Sequence, residues 1–374
     1  MPLPARLGFL DVIRGVAILS VFLFHAVGIS FGPYQLPWKG LWRDFKVPEG
    51  FRLLLPVTFG YLGVAVFFVV SGFCIHLSHV RSGESGFKIF FARRFFRIYP
   101  PYVLCLLAFT FLAPWPVGLS SPGGKAQVLS HLALVHNFDH RFYFGINGSF
   151  WSIAVEAQLY LLYPVLWHFA RRFGWPSALA LSAVVEFSLR AATACVSLVT
   201  PEELVPLWLN SSPFSYWFSW CLGAACADAW LTGRAVPVRA RSLVAVAAAL
   251  LAAYFLRPTA EFVFPMAATI TAGVIMLPQR RDGEMAPGGA RAISRSLAGV
   301  GVCSYSLYLL HQPILGWIPV LLAQILQVPP APLISLGCCI AAFFPIWGLS
   351  WVLYKLVELP GIAAGKWAIR KVAG

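Results

Sequence analysis

The chain has 374 residues, of which 59% are hydrophobic and only 11% are charged. Because ordinary globular proteins contain about 25% charged residues, a soluble fold of this length would lack the charges needed to cover its surface. The composition excludes disordered, collagen-like and secreted disulfide-rich proteins and favours a polytopic helical membrane protein. The net charge of +14 would indicate nucleic-acid binding in a soluble protein. Here the basic residues lie between apolar segments, so we attribute them to membrane topology and predict no nucleic-acid partner.

Ten apolar segments are each long enough to cross about 30 Å of hydrocarbon as a helix. The sequence therefore predicts an all-α, polytopic membrane bundle of about ten transmembrane helices, with residues 1–374 forming a single domain. Lys and Arg are concentrated on one side of this arrangement, which predicts that both termini are cytoplasmic. The predicted spans are 9–31, 57–80, 100–118, 149–168, 177–199, 212–231, 242–256, 262–277, 300–325 and 333–354.

All eight cysteines lie in apolar segments, and no Cys/His spacing resembles a zinc site. We therefore expect free, buried cysteines and no bound metal.

The first predicted span contains two ionisable residues, Arg14 and His25. Ionisable groups inside a membrane span are costly, so they are candidate functional residues. Eleven residues make about three helical turns, which places both side chains on one face, about 16 Å apart along the axis. A cation at the inner end and an imidazole in the outer half suit a long ligand with an anionic head and a reactive tail. The alternative is an interfacial arginine together with a hydrogen-bonded histidine of the bundle.

The fourth predicted span places Glu156 at a depth close to that of His25. Ser152, Glu156 and Tyr160 follow a spacing of four residues and share a helix face. A carboxylate near an imidazole can orient it and raise its basicity, as acid–base catalysis requires. The alternative is a structural glutamate that a neighbouring span satisfies.

The ninth predicted span carries Ser304, Tyr308 and His311 on one face. Pro313 and Pro319 should kink this helix and free backbone carbonyl groups. For Tyr305 and Tyr308 we favour polar packing between helices, while His311 remains a candidate for a tunnel or an acceptor site.

A basic cluster, Arg93, Arg94 and Arg97, follows the second predicted span. If this stretch is helical, the three guanidinium groups lie close together, and their repulsion is relieved when they share an anion. Arginine matches the geometry of phosphate, so a phosphate-bearing ligand is one interpretation. Contact with lipid headgroups is the other. In the fifth span, Glu186 and Arg190 are four residues apart and are predicted to form a structural ion pair.

Five motifs, in order and over nearly the whole chain, resemble those of membrane acyltransferase family 3. They are LDVIRGVAILSVFLFH (10–25), FFVVSGFCI (67–75), RRFFRIYP (93–100), WSIAVEAQLYLLYP (151–164) and YSLYLLHQP (305–313). The resemblance implies a ten-helix integral membrane enzyme. Such enzymes move an acyl group, often acetyl, from cytoplasmic acyl-coenzyme A to a sugar hydroxyl of a lipid-linked or cell-surface glycan.

The resemblance also implies residue roles. His25 and Arg14 match the family's essential pair, Glu156 matches the carboxylate of its Trp-Ser motif, and the basic motif is thought to receive the coenzyme A phosphates. Ala157 stands where many relatives carry a second glutamate, so it cannot act as a spare acid. We find no esterase-like domain of the kind that some relatives append, so direct transfer to the acceptor is the simpler expectation.

Together these points predict a membrane O-acyltransferase of a bacterial inner membrane, surrounded by lipid. Its donor substrate is expected to be acyl-coenzyme A, acetyl-coenzyme A in particular, with no permanently bound cofactor. Its acceptor is a carbohydrate or glycolipid of the cell envelope, on the extracytoplasmic side. The expected catalytic residues are His25 and Glu156, with His25 as a general base or, alternatively, as a covalent acyl carrier. The expected donor-binding residues are Arg14, Arg93, Arg94 and Arg97. Tunnel or acceptor candidates are Ser152, Tyr160, Ser304, Tyr308 and His311.

The competing hypothesis is a secondary transporter for a lipid-linked or sugar intermediate. Transporters place their sites at the membrane midplane and often show inverted repeats. No convincing repeat is visible in this sequence, and its polar residues lie at two depths rather than at one centre.

Overall fold

The structure is a computed structural model that describes residues 7–32, 49–83, 86–112, 118–200, 204–234, 238–255, 258–277 and 288–373. These residues form helices joined by turns, and no strand occurs among them. The helices are α1 (Gly8–Phe31), α2 (Gly63–Arg81), α3 (Phe87–Leu112), α4 (Pro122–Leu132), α5 (Phe150–Phe173), α6 (Trp175–Val199), α7 (Leu207–Asn210), α8 (Trp217–Leu231), α9 (Ala240–Phe255), α10 (Val263–Met276), α11 (Gly288–Val302), α12 (Ser304–Leu326), α13 (Pro332–Ala341), α14 (Phe343–Leu353) and α15 (Leu359–Ala373). A π-helical turn, Tyr354–Glu358, joins α14 to α15.

Six helical segments in this part of the chain are long and apolar enough to cross a membrane. The protein is therefore a multi-pass membrane protein with a helical fold, as predicted. The remaining four predicted spans coincide with α5, α8, α9 and α10, and the total of ten spans and the cytoplasmic termini stay predictions. The six segments are Gly8–Phe31, Pro56–Arg81, Phe87–Leu112, Trp175–Val199, Ser304–Leu326 and Pro332–Lys371.

Helix α3 begins thirteen residues before the predicted start of the third span, because Pro100 and Pro101 do not interrupt it. A proline inside a helix leaves the carbonyl group four residues earlier without its amide partner. For Pro100 that carbonyl belongs to Phe96, and α15 packs directly against it at Gly361, where a Cβ atom would come within 2.5 Å of the Phe96 oxygen. Tyr305 donates a hydrogen bond to the carbonyl of Ile98 at 2.8 Å. Neighbouring helices therefore support the proline segment, as is usual inside membranes.

Helix α1 lies at the centre of the bundle and contacts α2, α11, α12 and α13. Two glycines allow α1 and α11 to touch backbone to backbone. A Cβ atom on Gly15 would overlap the carbonyl of Leu297, and one on Gly301 would overlap the carbonyl of Asp11. Close approach through small residues is a common way for helices to pack in lipid. It holds the N-terminal half of α1 against α11.

The predicted ion pair of α6 is present and forms part of a buried network. Arg190 donates to Glu186 Oε1 at 2.9 Å, to the carbonyl of Ser215 at 2.7 Å and to the carbonyl of Glu261 at 2.8 Å. Glu186 also accepts from the amide and the hydroxyl of Ser219, both at 2.9 Å. Because both charges are compensated by hydrogen bonds, this pair is tolerated in the core. The eight cysteines are all free, as predicted, but only five are buried: Cys195 is exposed, and Cys74 and Cys338 are partly exposed.

Candidate active site

A cavity of about 110 Å³ lies between α1, α2, α3, α5 and α12. Its wall combines apolar side chains with five charged residues that come from four different parts of the sequence. Three guanidinium groups and two carboxyl groups inside one small cavity are costly to bury, so the arrangement is a candidate functional site. The charged residues of the wall are Arg14, Arg94, Arg97, Glu156 and Glu358.

Arg14 is held at the junction of α1 and α2. It donates to Asp11 Oδ1 at 3.2 Å, one turn earlier on α1, and to Cys74 Sγ of α2 at 3.0 Å. The Arg14 side chain retains 19% of its accessible surface, so its remaining N–H groups are available to a ligand in the cavity.

Two of the three residues of the basic cluster line the cavity. Arg94 and Arg97 are wall residues, while Arg93 is not among them. Arg94 is only 8% exposed, and its guanidinium lies over the ring of Phe90 at 5.7 Å. Within the described residues, Arg94 Nε has no hydrogen-bond partner. A buried guanidinium with an unused donor is an unusual and costly feature that an anionic ligand would satisfy.

Glu156 lies in the cavity wall at the end of a chain of polar groups. The Tyr160 hydroxyl donates to Glu156 Oε1 at 2.6 Å and lies 3.4 Å from the hydroxyl of Ser71. The indole N–H of Trp220 donates to that same serine hydroxyl at 3.3 Å. This chain fixes the orientation of the Tyr160 hydroxyl and of the carboxylate that accepts from it.

The polar faces predicted on α5 and α12 meet in the cavity. Ser152 and Tyr308 form a hydrogen bond of 2.7 Å between their hydroxyl groups, and both line the wall together with Ser304. The Tyr308 ring also contacts Phe67 of α2, with 5.8 Å between ring centroids. Tyr308 therefore marks the point where α2, α5 and α12 converge.

The two candidate histidines lie next to each other, just beyond Tyr308. The centroids of the His25 and His311 rings are 5.1 Å apart, and His311 is 5.4 Å from the ring of Tyr308. Neither histidine belongs to the cavity wall. Sequence reasoning placed Glu156 beside His25. The structure places Glu156 against Tyr160, and an imidazole, His311, beside His25.

Glu358 is the functional candidate that sequence reasoning missed. It lies in the π-helical turn, is 3% exposed, lines the cavity and accepts a hydrogen bond from Ser306 at 3.1 Å. We predicted that the last span ends at residue 354, which left Glu358 in a cytoplasmic tail. The helical segment instead continues to Lys371. A single glutamate within an apolar stretch was the signal available in the sequence.

Helix α4 packs against α3. Tyr102 donates to the carbonyl of His131 at 2.9 Å, which fastens α4 to α3. The rings of His131 and His136 are buried and stacked, with centroids 3.8 Å apart. Burial lowers the pKa of His131 to about 4 and that of His136 to about 3. Both rings are therefore neutral at physiological pH.

Comparison with known proteins finds relatives along nearly the whole chain. A family model described as an acyltransferase domain matches residues 7–351. Acyltransferase MdmB of Streptomyces mycarofaciens is 28% identical over 83% of this chain and 79% of its own length. The putative membrane-bound transacylase BcsY of Komagataeibacter xylinus is 28% identical over 81% of this chain and 72% of its own length. Peptidoglycan O-acetyltransferase OatA of Listeria monocytogenes is 25% identical over 94% of this chain, which spans 55% of that relative. No solved structure matches the chain.

Proposed function

The chain belongs to this acyltransferase family, and on that premise we propose that it transfers an acyl group from acyl-coenzyme A to a hydroxyl group of a carbohydrate or glycolipid. The membrane is that of a bacterial cell, the donor enters from the cytoplasm, and the acceptor lies on the extracytoplasmic side. The observation that carries the proposal is the central cavity, where Arg14, Arg94 and Arg97 converge with Glu156.

The charge of the cavity supports an anionic donor. Three arginines give a formal charge of +3 and two glutamates give −2, so the wall carries one excess positive charge before a ligand enters. The fork of a guanidinium group matches the paired oxygens of a phosphate. We propose that Arg94 and Arg97, with Arg14, bind the phosphates of coenzyme A, and that Arg93 contributes at the cavity entrance.

The size of the cavity supports a short acyl group. Its volume of about 110 Å³ is well below the ~300 Å³ at which pockets for drug-sized ligands begin. The whole donor exceeds this volume, so its coenzyme A part must extend beyond the cavity. An acetyl group adds only two carbon atoms inside it, whereas a long fatty acyl chain needs a further channel. We therefore propose acetyl-coenzyme A as the donor.

The proposed chemistry is direct acyl transfer. The acceptor hydroxyl attacks the thioester carbonyl while His25 takes the hydroxyl proton as general base. The carbon–sulfur bond then breaks, the new ester leaves on the acceptor, and the proton passes to the coenzyme A thiolate. Glu156 is the second proposed catalytic residue. Because it accepts the hydrogen bond of Tyr160, we propose that it acts through this hydroxyl.

The test combines genetics with chemistry. Deleting the gene in its host should remove an ester-linked acyl group from the surface glycans, as measured by mass spectrometry, and the wild-type gene should restore it. The His25→Ala variant should fail to restore it although the purified variant elutes and melts like the wild type. His168→Ala is the matched control, because His168 is exposed on α5, and it should restore the modification fully.

Full restoration by His25→Ala would refute the catalytic assignment. An unchanged glycan profile after the deletion would refute the proposed acceptor class and redirect the search to secreted small molecules. Transport of a sugar intermediate without release of thiol from acetyl-coenzyme A would favour the transporter.

A further inference from the structure

A break in the hydrogen bonding of α12 lies one turn from the histidine pair. Pro313 has no amide hydrogen, so the carbonyl of Leu309 loses its partner within the helix. Asn147, which is 2% exposed, replaces that partner by donating from Nδ2 to the Leu309 oxygen at 2.8 Å. The Ser149 hydroxyl donates to Gln312 Oε1 at 2.5 Å. The loop before α5 therefore fixes the turn of α12 that carries His311.

The contacts of His311 determine which ring nitrogen carries its proton. Nδ1 lies 2.8 Å from the backbone oxygen of Tyr308. A carbonyl oxygen only accepts hydrogen bonds, so Nδ1 must be the N–H donor, and in a neutral imidazole Nε2 is then the bare acceptor. The side chain is fully buried, and within the described part of the chain no donor meets Nε2. A buried acceptor without a partner is rare and calls for an explanation.

The neighbouring ring of His25 lies at the right distance to provide that donor. An N–H···N hydrogen bond of about 2.9 Å, with roughly 1.2 Å from each nitrogen to its ring centre, separates two imidazole centroids by about 5.3 Å. The centroids of His25 and His311 are 5.1 Å apart. This spacing matches that of a hydrogen bond between the two rings.

We propose that His311 is a positioning residue for acyl transfer, whose Nε2 accepts a hydrogen bond from one ring N–H of His25, so that the second ring nitrogen of His25 acts as the base. This inference rests on the proposed role of His25 as general base. When the acceptor hydroxyl gives its proton to that second nitrogen, the N–H group that already faces His311 keeps its hydrogen bond, which strengthens because the ring is now an imidazolium. The proton then passes from His25 to the departing thiolate, and His311 itself neither gains nor loses a proton. It fulfils the function that a carboxylate performs in many catalytic triads.

Two variants separate this role from simple packing. His311→Leu removes the acceptor at similar volume, whereas His311→Gln retains a carbonyl acceptor. Thiol release from acetyl-coenzyme A is followed with purified protein, with envelope glycans of the deletion strain as the acceptor preparation. His311→Leu should lower kcat by about 100-fold, at the lower end of the range for acid–base catalysis. The KM for acetyl-coenzyme A should stay within about twofold of the wild-type value, because the contacts that bind the donor equally in the ground state and the transition state are unchanged. In His311→Gln, the logarithm of kcat should recover at least a third of the decrease seen in His311→Leu.

An unchanged kcat in His311→Leu, or an equal loss in both variants, would overturn the inference. If His25→Ala is inactive while His311→Leu is fully active, only this inference fails. If His25→Ala is active, the proposed function of His25 fails first. A second measurement does not depend on activity or on a variant. In protein with ¹⁵N-labelled histidine, the NMR spectrum should show His311 as the Nδ1–H tautomer, and the Nε2–H tautomer would contradict the proposal.

Discussion

Replacing Arg94 by methionine should weaken the binding of acetyl-coenzyme A strongly while leaving the fold intact. Methionine fills a similar volume but removes the charge and all five donors. Arg94 is 8% exposed, so its interaction with a phosphate is only weakly screened by water. One hydrogen bond to a charged partner contributes about 1.5–3 kcal/mol. Since each 1.4 kcal/mol is about tenfold in affinity, the dissociation constant should rise by roughly 10- to 150-fold.

The assay is equilibrium binding of radiolabelled acetyl-coenzyme A to protein in lipid nanodiscs. Lys88→Met provides the matched control, because Lys88 is exposed near the start of the same helix and has the same charge. Arg94→Lys should give an intermediate affinity, since the charge remains but the fork is lost. An equal loss in Lys88→Met and Arg94→Met would show that the basic residues act only through the surface charge of the membrane face. Unchanged binding in Arg94→Met would refute the donor site altogether.

Two further predictions concern stability. Arg190→Ala should destabilise the fold by about 3–5 kcal/mol, because it leaves Glu186 as a buried charge without its partner. The melting temperature in detergent measures this loss, and Arg172→Ala, an exposed residue, should not change it; an unchanged melting temperature in Arg190→Ala would contradict the pairing. The second prediction is a loss of stability in acid. Burial lowers the pKa values of His131 and His136 from 6.5 to about 4 and about 3, so the unfolded chain takes up protons before the folded chain does. The contribution of the two neutral histidines to the free energy of unfolding is complete above pH 6.5 and declines as the pH falls towards 4 and then 3. Hydrogen exchange of residues 122–138 between pH 7.5 and 4.5 should show the decline, and a double His131→Gln, His136→Gln variant should show less of it. Equal pH dependence in both proteins would exclude the pair as its source.

The part of the site that could be predicted from the sequence depends on the regular period of single helices. Ser152, Glu156 and Tyr160 share a face because the helical period is a property of a short segment. The same reasoning correctly joined Arg94 to Arg97, and the mere cost of a charge in lipid pointed to Arg14 and His25. The fold class followed from segment length and composition in the same way.

The tertiary structure decided which of these faces meet. Glu358 enters the cavity only because α15 continues the last helical segment and packs on α3, and no local pattern states where a helix will dock. One neighbour of His25, His311, is likewise 286 positions away in the sequence. Asn147 fills the gap left by Pro313, although 162 positions separate Asn147 from Leu309. Hydropathy is summed along a segment, whereas contacts between helices in lipid depend on the shapes of the two surfaces and on paired polar groups. The sequence by itself therefore determined the kinds of chemical group available, and the packing of the helices determined which of them can act together.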